Sequence, residues 1–187
     1  MPTTVQTLYF DHPGPENTDD TLRSARIRAD QLGLRDIVVA SGTGATGVKA
    51  CQHFPGYHLV VVAGAVGYPD PNESRMAHRA TLEAHGATVL FAGHAFGMLG
   101  RAVNKKFGAI QLDEVIAHTL RVVSAGVKVG CEIVCMATDA GLIQAGQDVI
   151  AIGGSEQGAD TAVVIKASNT HRFFDIRVRE IICKPRE

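Results

Sequence analysis

The sequence predicts an α/β protein in which a parallel or mixed sheet is covered by helices on both faces. Three observations lead there. The runs Ile37 to Ala40, Leu59 to Ala63 and Val89 to Ala92 are apolar without alternation, as strands buried on both faces are. Between them lie segments whose apolar residues recur at helical spacing. The junctions from strand to helix are rich in glycine, and strands alternating with helices build a parallel sheet with right-handed crossovers.

In order along the chain, Thr7 to Phe10 is a short β-prone run and Asp11 to Thr18 a loop of turn formers. Asn17 or Thr18 caps the next helix, and Asp19 and Asp20 sit in its first turn, where carboxylates suit the dipole. Leu22, Ala25, Ala29 and Leu32 mark its apolar face before Gly33 stops it. The strand Asp36 to Ala40 leads through Ser41-Gly42-Thr43-Gly44-Ala45-Thr46-Gly47 into a helix over Ala45 to Phe54, ahead of the turn at Pro55-Gly56. The strand His58 to Ala63 exits through Gly64 to Tyr68. Asn72 is the expected cap of the following helix, with Met76, Ala80 and Ala84 on one face and Gly86 as its stop. Thr88 to Ala92 is a strand with Gly93 to Gly97 as its exit loop.

From Met98 to Ile143 the pattern is helical. Leu112, Ile116, Leu120 and Val123 form a stripe behind an Asp113 cap, with Gly126 as the closing residue. A second helix over Lys128 to Ala140 places Val129, Ile133, Met136 and Ala140 on one face and ends at Gly141. Gln147 to Ile152 and Thr161 to Ile165 are strands joined by the glycine-rich turn Gly153 to Asp160. Phe174 to Arg179 alternates apolar and polar, as an edge or half-exposed strand does. With no internal repeat, low-complexity segment or linker, residues 1–187 read as one domain.

Composition removes several function classes. Hydrophobic residues are 45% and charged residues 20%, an ordinary globular balance, and a net charge of -1 gives no overall field toward nucleic acid or an anionic membrane. The longest apolar stretch, Leu59 to Val66, is too short to span a bilayer, and Met1 to Tyr9 lacks the basic and apolar regions of a leader. A cytoplasmic protein is expected. Cys51, Cys131, Cys135 and Cys183 have no metal-ligand spacing and fall in apolar segments, where free cysteine behaves as a small buried hydrophobe. Cys131 and Cys135, four apart on one helix, could alternatively form a redox pair. The eight histidines show no ligand spacing, so no metal is expected. His12 and His94 fall in loops at the expected ligand edge, and Arg101 with Lys105-Lys106 reads as a solvated helix face from which one cation could neutralise a phosphate.

Ligands of such sheets bind beyond the carboxyl ends of the strands. The loops Asp11 to Thr18, Ser41 to Gly47, Gly64 to Tyr68 and Gly93 to Phe96 all lie there on this reading and could share one pocket. The first candidate is Ser41 to Gly47. A strand feeding a helix through glycines brings backbone close to a ligand and offers the helix's unpaired N–H groups to an anion, most often phosphate. Ser41, Thr43 and Thr46 add hydroxyls. Val48 stands where a Walker A loop needs lysine, and no acidic residue closes the next strand as the dinucleotide fingerprint requires. Val39-Ala40-Ser41-Gly42-Thr43 lacks the outer glycines of a nucleophile elbow. A tight turn that needs glycine for geometry alone is the plain alternative.

The second candidate, Gly153 to Asp160 with Ser155, Gln157 and the adjoining Thr161, is long and glycine-rich for a hairpin, which points to close approach to a ligand. Glu132 and Asp139, seven apart, lie on one helical face about 10 Å from each other. Either could serve as a general acid or base or hold a ligand hydroxyl, and a cap or surface ion pair accounts for Asp139 equally well.

These residues resemble a known family. Asp36 to Thr46 followed by His58 to Ala63 looks like the effector-site segment of the pyruvate kinase carboxyl-terminal domain, where a strand ends in a Ser-Gly loop that grips a sugar phosphate. Gly158-Ala159-Asp160-Thr161 stands where that domain has a second phosphate loop. The whole chain resembles the stand-alone bacterial and archaeal proteins of the pyruvate kinase carboxyl-terminal-like class. The matching landmarks are Tyr9-Phe10 with Gly14, Asn17-Thr18, Ser41 to Gly47, Glu132-Ile133 with Met136-Ala137, Asp139 to Ile143, Gly153-Gly154 and Gly158 to Ala162. The resemblance implies a three-layer α/β/α fold around a mixed, mostly parallel sheet of about five core strands, and a pocket in which the phosphate of flavin mononucleotide (FMN) occupies the Ser41 loop. It covers the carboxyl-terminal domain and not the catalytic barrel, so pyruvate kinase activity is not among its implications.

The residues expected to hold FMN are Asn17, Thr18, Ser41, Gly42, Thr43, Gly44, Thr46, Gly47, Gly64, Gly93, Glu132, Gly153, Gly154, Ser155, Gly158, Ala159, Asp160 and Thr161. The expected function is binding of a small phosphorylated ligand, FMN first. An enzyme of this kind would be a flavin-dependent oxidoreductase with Glu132 or Asp139 near the ring. The alternative is a non-catalytic regulatory or sensor module that binds a nucleotide or sugar phosphate and reports occupancy through homo-oligomer contacts.

Overall fold

A computed structural model describes residues 2–68 and 77–186. Strands that are apolar on both faces need a sheet covered twice, and the chain builds one. The strands are β1 (Leu8–Phe10), β2 (Asp36–Ala40), β3 (His58–Gly64), β4 (Thr88–Phe91), β5 (Asp148–Gly153), β6 (Thr161–Lys166) and β7 (Arg177–Pro185). They form a single sheet in the order β1-β7-β6-β5-β2-β3-β4. β6 runs antiparallel to β5 and β7, and the other pairs are parallel.

The helices are α1 (Thr18–Leu32), α2 (Ala45–His53), α3 (Arg79–Ala84), α4 (Met98–Phe107), α5 (Leu112–Arg121) and α6 (Ala125–Asp139). On one face of the sheet, Leu22, Ala25 and Ala29 of α1, Ala50 of α2 and Leu82 of α3 meet Ile37, Val39, Val61, Ile150 and Ile152. On the other, Val127, Cys131, Val134 and Cys135 of α6 meet Val38, Val60, Ala151 and Val163, with α5 packed behind α6. Ile37 and Val39 serve one core and Val38 the other, which is why the run has no polar position. This is the expected three-layer α/β/α fold with a mostly parallel sheet. Its seven strands match the seven β-prone runs of the sequence and exceed the five core strands that the resemblance implied.

α6 lies at backbone distance from the sheet because glycines face it. A Cβ on Gly126 would come within 2.1 Å of Thr161 Oγ1, and one on Gly130 within 3.1 Å of Val163 Cγ2. The reverse holds at the end of β5, where a Cβ on Gly153 would stand 2.8 Å from Val129 Cγ1.

Several boundaries differ from the sequence reading, each for a local reason. Gly126 does not close α5 but stands in the first turn of α6, which starts at Ala125 because Ser124 Oγ accepts from Val127 N–H at 2.9 Å. α5 is capped by Gln111 rather than Asp113: Gln111 N–H donates to Glu114 Oε2 at 3.1 Å, and Asp113 falls in the first turn. In α3 the buried residue is Leu82, whose large side chain reaches the core, while Ala80 and Ala84 are exposed. The expected cap Asn72 and Met76 lie outside the described residues. β7 begins at Arg177 instead of Phe174 because Thr170–Asp175 forms a 3-10 turn. Its first residues, Arg177 to Arg179, are exposed and pair only with β6, as an edge strand does, while β1 pairs along the outer side of Cys183 to Pro185 and full burial begins at Ile182.

The contact between Gly126 and Thr161 makes a sharp test. At an unhindered helix position alanine gains about 1 kcal/mol over glycine. Gly126→Ala should instead lower the unfolding free energy by about 1–3 kcal/mol in urea denaturation, because the new methyl has to push α6 off β6.

Candidate functional site

Six of the seven strands point the same way, so the exits of β1, β2, β3 and β4 open on one edge, and the connection from β5 to β6 turns there too. A cleft of about 700 Å³ runs along this edge, within the size range of small-molecule sites. Pro15 and Thr18 line it from the connection after β1, Ser41, Gly42, Thr43 and Thr46 from that after β2, Gly64 from the end of β3, and His94 from the exit of β4. Gly154 to Gly158 close it from the β5–β6 connection, and Val129, Glu132, Ile133 and Met136 of α6 form a wall.

At one end the loop after β2 folds as its glycines dictate. Gly44 takes a φ of 94° at the N-cap of α2, a conformation that glycine reaches without strain. Ser41 N–H donates to Val62 O at 2.9 Å, and Ser41 Oγ accepts from Gly47 N–H at 3.2 Å, so the loop closes on itself. Ala45 N–H turns toward Thr43 Oγ1 at 3.4 Å. Among the described residues the N–H of Thr46 has no hydrogen-bond partner, and no side chain at the N-cap closes the helix start. Gly47 has a packing role: a Cβ there would meet Val61 Cγ1 at 2.9 Å and Leu82 Cδ2 at 3.0 Å. Lys49, one turn further along α2, lines the cleft and donates to both carboxylate oxygens of Asp19 at 3.0 Å.

The connection from β5 to β6 is tied to the start of α1. Gly158 has a φ of 73°, and a Cβ on it would come within 2.5 Å of Thr18 Oγ1 and 2.6 Å of Pro15 Cα. Thr18 Oγ1 donates to Pro15 O at 2.6 Å and accepts from Ala159 N–H at 3.0 Å. Asp160 is 1% exposed and braces the loop from inside, accepting from Thr161 Oγ1 at 2.7 Å and Ser155 N–H at 3.2 Å.

The other end holds a buried charge cluster. Glu132 Oε1 accepts from Phe96 N–H at 3.0 Å, while Oε2 is paired with the ammonium of Lys128 one turn earlier and lies 3.4 Å from Nδ1 of His94. Burial alone would raise the Glu132 pKa. The hydrogen bond from His94 and the charge and hydrogen bond of Lys128 outweigh it and hold the carboxyl down at about 2. Burial pulls the Lys128 pKa below the ordinary lysine value, with the Glu132 charge opposing. The His94 ring packs edge-on to Tyr68 at 5.5 Å, and the Arg101 guanidinium lies 5.0 Å over Tyr68.

Of the residues expected to hold a ligand, Thr18, Ser41, Gly42, Thr43, Thr46, Gly64, Glu132, Gly154, Ser155 and Gly158 line the cleft. Asn17, Gly44, Gly47, Gly93, Gly153, Ala159, Asp160 and Thr161 stand behind it and shape its walls; Asn17, for instance, donates to His12 O at 2.8 Å. Asp139 is engaged elsewhere, accepting from Thr170 N–H and Asn169 Nδ2 at 3.0 Å each and from Thr170 Oγ1, which ties the end of α6 to the 3-10 turn. Cys131 and Cys135 are buried against the sheet, and burial pushes both thiols up to about 12. Sequence reasoning passed over Lys128, whose signal is its four-residue spacing to Glu132 on an apolar helix. It also passed over Lys49. Among the described residues no cluster of His, Cys, Asp and Glu could hold a metal, and no helix is long and apolar enough to cross a membrane.

A family model described as pyruvate kinase, alpha/beta domain, matches residues 19–165. The chain belongs to that family. Solved structures similar to this pyruvate kinase alpha/beta domain protein include three of Cryptosporidium parvum pyruvate kinase. One is 16% identical with a TM-score of 0.38, covering 73% of this chain and 20% of its own. A second is 14% identical with a TM-score of 0.44, covering 81% and 23%. A third, in complex with ADP, is 16% identical with a TM-score of 0.43, covering 90% and 25%. The chain thus spans a quarter or less of the kinases it matches.

The ion pair of this alpha/beta domain protein carries a stability prediction. Glu132→Gln strands a buried ammonium and should cost about 3–5 kcal/mol in denaturant unfolding at pH 7. A depressed carboxyl pKa contributes stability above the unfolded value and loses it as pH falls through the folded one. The wild type should therefore weaken between pH 4.5 and about 2 through Glu132. The variant, with no carboxyl to protonate, should lack that component of the pH profile.

Proposed function

We propose that the cleft binds a small phosphorylated ligand with its phosphate at the loop between β2 and α2. The observation that carries this reading is the start of α2. Its N-cap offers no capping side chain, the Thr46 N–H has no partner among the described residues, and Ser41, Thr43 and Thr46 bring hydroxyls to a cleft of about 700 Å³. An N–H group at the positive end of a helix dipole suits a phosphate oxygen, and Lys49, held by the exposed Asp19, stands beside it where an anion could compete for its ammonium.

FMN is the ligand this arrangement supports first. Val62, Ala63, Val129, Ile133 and Met136 give the middle of the cleft an apolar stretch, a surface suited to a flat ring system. Ser41, Thr43 and Thr46 would hold the phosphate, and Val129, Ile133 and Met136 would pack on the ring. Bound flavin supplies a two-electron carrier.

Purified protein should carry a yellow chromophore, or take one up from added FMN, and release FMN on denaturation by mass spectrometry. A colourless protein that fails to bind added FMN overturns the flavin proposal. Reoxidation following reduction by a nicotinamide cofactor would mark an oxidoreductase, and redox silence a sensor. Gly44→Asp brings a carboxylate to the start of α2 and should weaken binding of FMN or inorganic phosphate at least about tenfold by like-charge repulsion. Unchanged affinity in calorimetric titration would remove the loop from the site.

A further inference from the structure

Holding a phosphate calls on the loop after β2, yet the far end of the cleft contains an ion pair that phosphate binding does not use. Glu132 and Lys128 are 2% and 4% exposed. Such a pair adds little stability over apolar residues of the same volume, because desolvation of both charges offsets their attraction. Its geometric effect is specific. Lys128 and the Phe96 N–H hold the Glu132 carboxylate in place, and the oxygen that Lys128 binds also stands 3.4 Å from His94 Nδ1. A carboxylate on that nitrogen favours the imidazole tautomer with Nδ1 protonated and Nε2 bare. Among the described residues Nε2 has no hydrogen-bond partner, and His94 lines the cleft.

Sheet order sets the reach between the two ends. β4, which delivers His94, lies two strands from β2, which delivers Ser41. At a strand spacing of about 4.8 Å the two strand ends are about 10 Å apart. That is roughly the span of a sugar phosphate from its phosphate to its carbonyl end, and FMN likewise carries its phosphate on a polyol chain.

We propose that the cleft is a catalytic site for proton transfer on a phosphorylated hydroxycarbonyl compound. His94 is the catalytic residue that takes and returns the proton, and Glu132 is the positioning residue that orients it. The inference rests on a phosphate lying at the loop after β2, with the hydroxycarbonyl compound in the place that FMN would otherwise fill. His94 Nε2 removes the hydrogen from the carbon next to the carbonyl. The bonding pair forms a carbon–carbon double bond as the carbonyl pair moves onto oxygen, and the Glu132 carboxylate stabilises the new imidazolium. Return of the proton to the same carbon restores the starting compound. Return to the former carbonyl carbon, with the hydroxyl proton shifting between the two oxygens, gives the isomer. Neither course consumes an oxidant, reductant or co-reactant.

The test uses ribose 5-phosphate and fructose 6-phosphate as probes in heavy water, with deuterium at the carbon next to the carbonyl read by NMR and binding read by calorimetry. The wild type should exchange deuterium faster than buffer. His94→Ala should lower the rate about 100-fold or more while affinity holds within about threefold, and added imidazole should restore part of the rate. Glu132→Gln should lower turnover and leave KM in place. If both probes bind and the wild type exchanges no faster than buffer, or His94→Ala exchanges as fast as the wild type, the proposal is overturned and the binding reading stands. If inorganic phosphate binds and neither sugar phosphate does, the substrate class is wrong. If inorganic phosphate does not bind either, the binding reading has failed first.

Discussion

The close seating of α6 on β5 and β6 is the constraint on which the rest of the structure depends. Gly126 and Gly130 remove the side chains that would hold the helix off, and Thr161 and Val163 fill the space. A helix at this distance brings Val129, Glu132, Ile133 and Met136 to the carboxyl edge of the sheet, where they become a wall of the cleft. The same seating seals Lys128 and Glu132 from water. A cleft at that edge follows from strand direction, but its depth and chemistry follow from how near α6 lies.

The two ends of the cleft differ electrostatically for reasons of burial. At the start of α2 the positive character comes from backbone dipoles, and Lys49 beside it is exposed and already paired with Asp19. Such a pair contributes little to stability and rearranges cheaply. At the other end the charges are fixed. Lys128 and Glu132 are shielded from solvent, so their attraction is strong and their geometry rigid. One end can adjust to an anion; the other presents a His94 ring whose orientation is set before anything binds.

Much of this was legible in the residues, and the rest was not for definite reasons. The bounds of β2 and α1 could be read directly, since an unbroken apolar run between Asp36 and Ala40 and a helical stripe between Thr18 and Gly33 have few alternative explanations. Glycine is harder. Gly33 and Gly141 end helices at positive φ, whereas Gly126 and Gly47 are needed because another element comes close. The letter is the same, and only the neighbour separates the cases. That is why Gly126 read as a stop and Gly47 as part of a ligand loop. Alternation in Phe174 to Arg179 reported the exposed start of β7, whereas the outer pairing of its last residues could not be read locally, because the short β1 that supplies it comes from the opposite end of the chain. Glu132 could be singled out as an acid on an apolar helix, and His94 as a rim residue, but their pairing across 38 positions depends on how the exit of β4 folds against α6.

The bond from Ala159 N–H to Thr18 Oγ1 joins residues 141 positions apart. Closing a loop of that length costs only modestly more entropy than closing a short one, because the cost grows with the logarithm of length. It cannot form, however, until β6 has turned back along β5 and delivered Gly158 to the start of α1. A folding chain that had completed only its early strand–helix units would own the loop after β2 and still have no enclosed cleft. Occupancy therefore reports that both halves of the chain have come together, and by mass action a ligand would favour the finished fold over every partly assembled one.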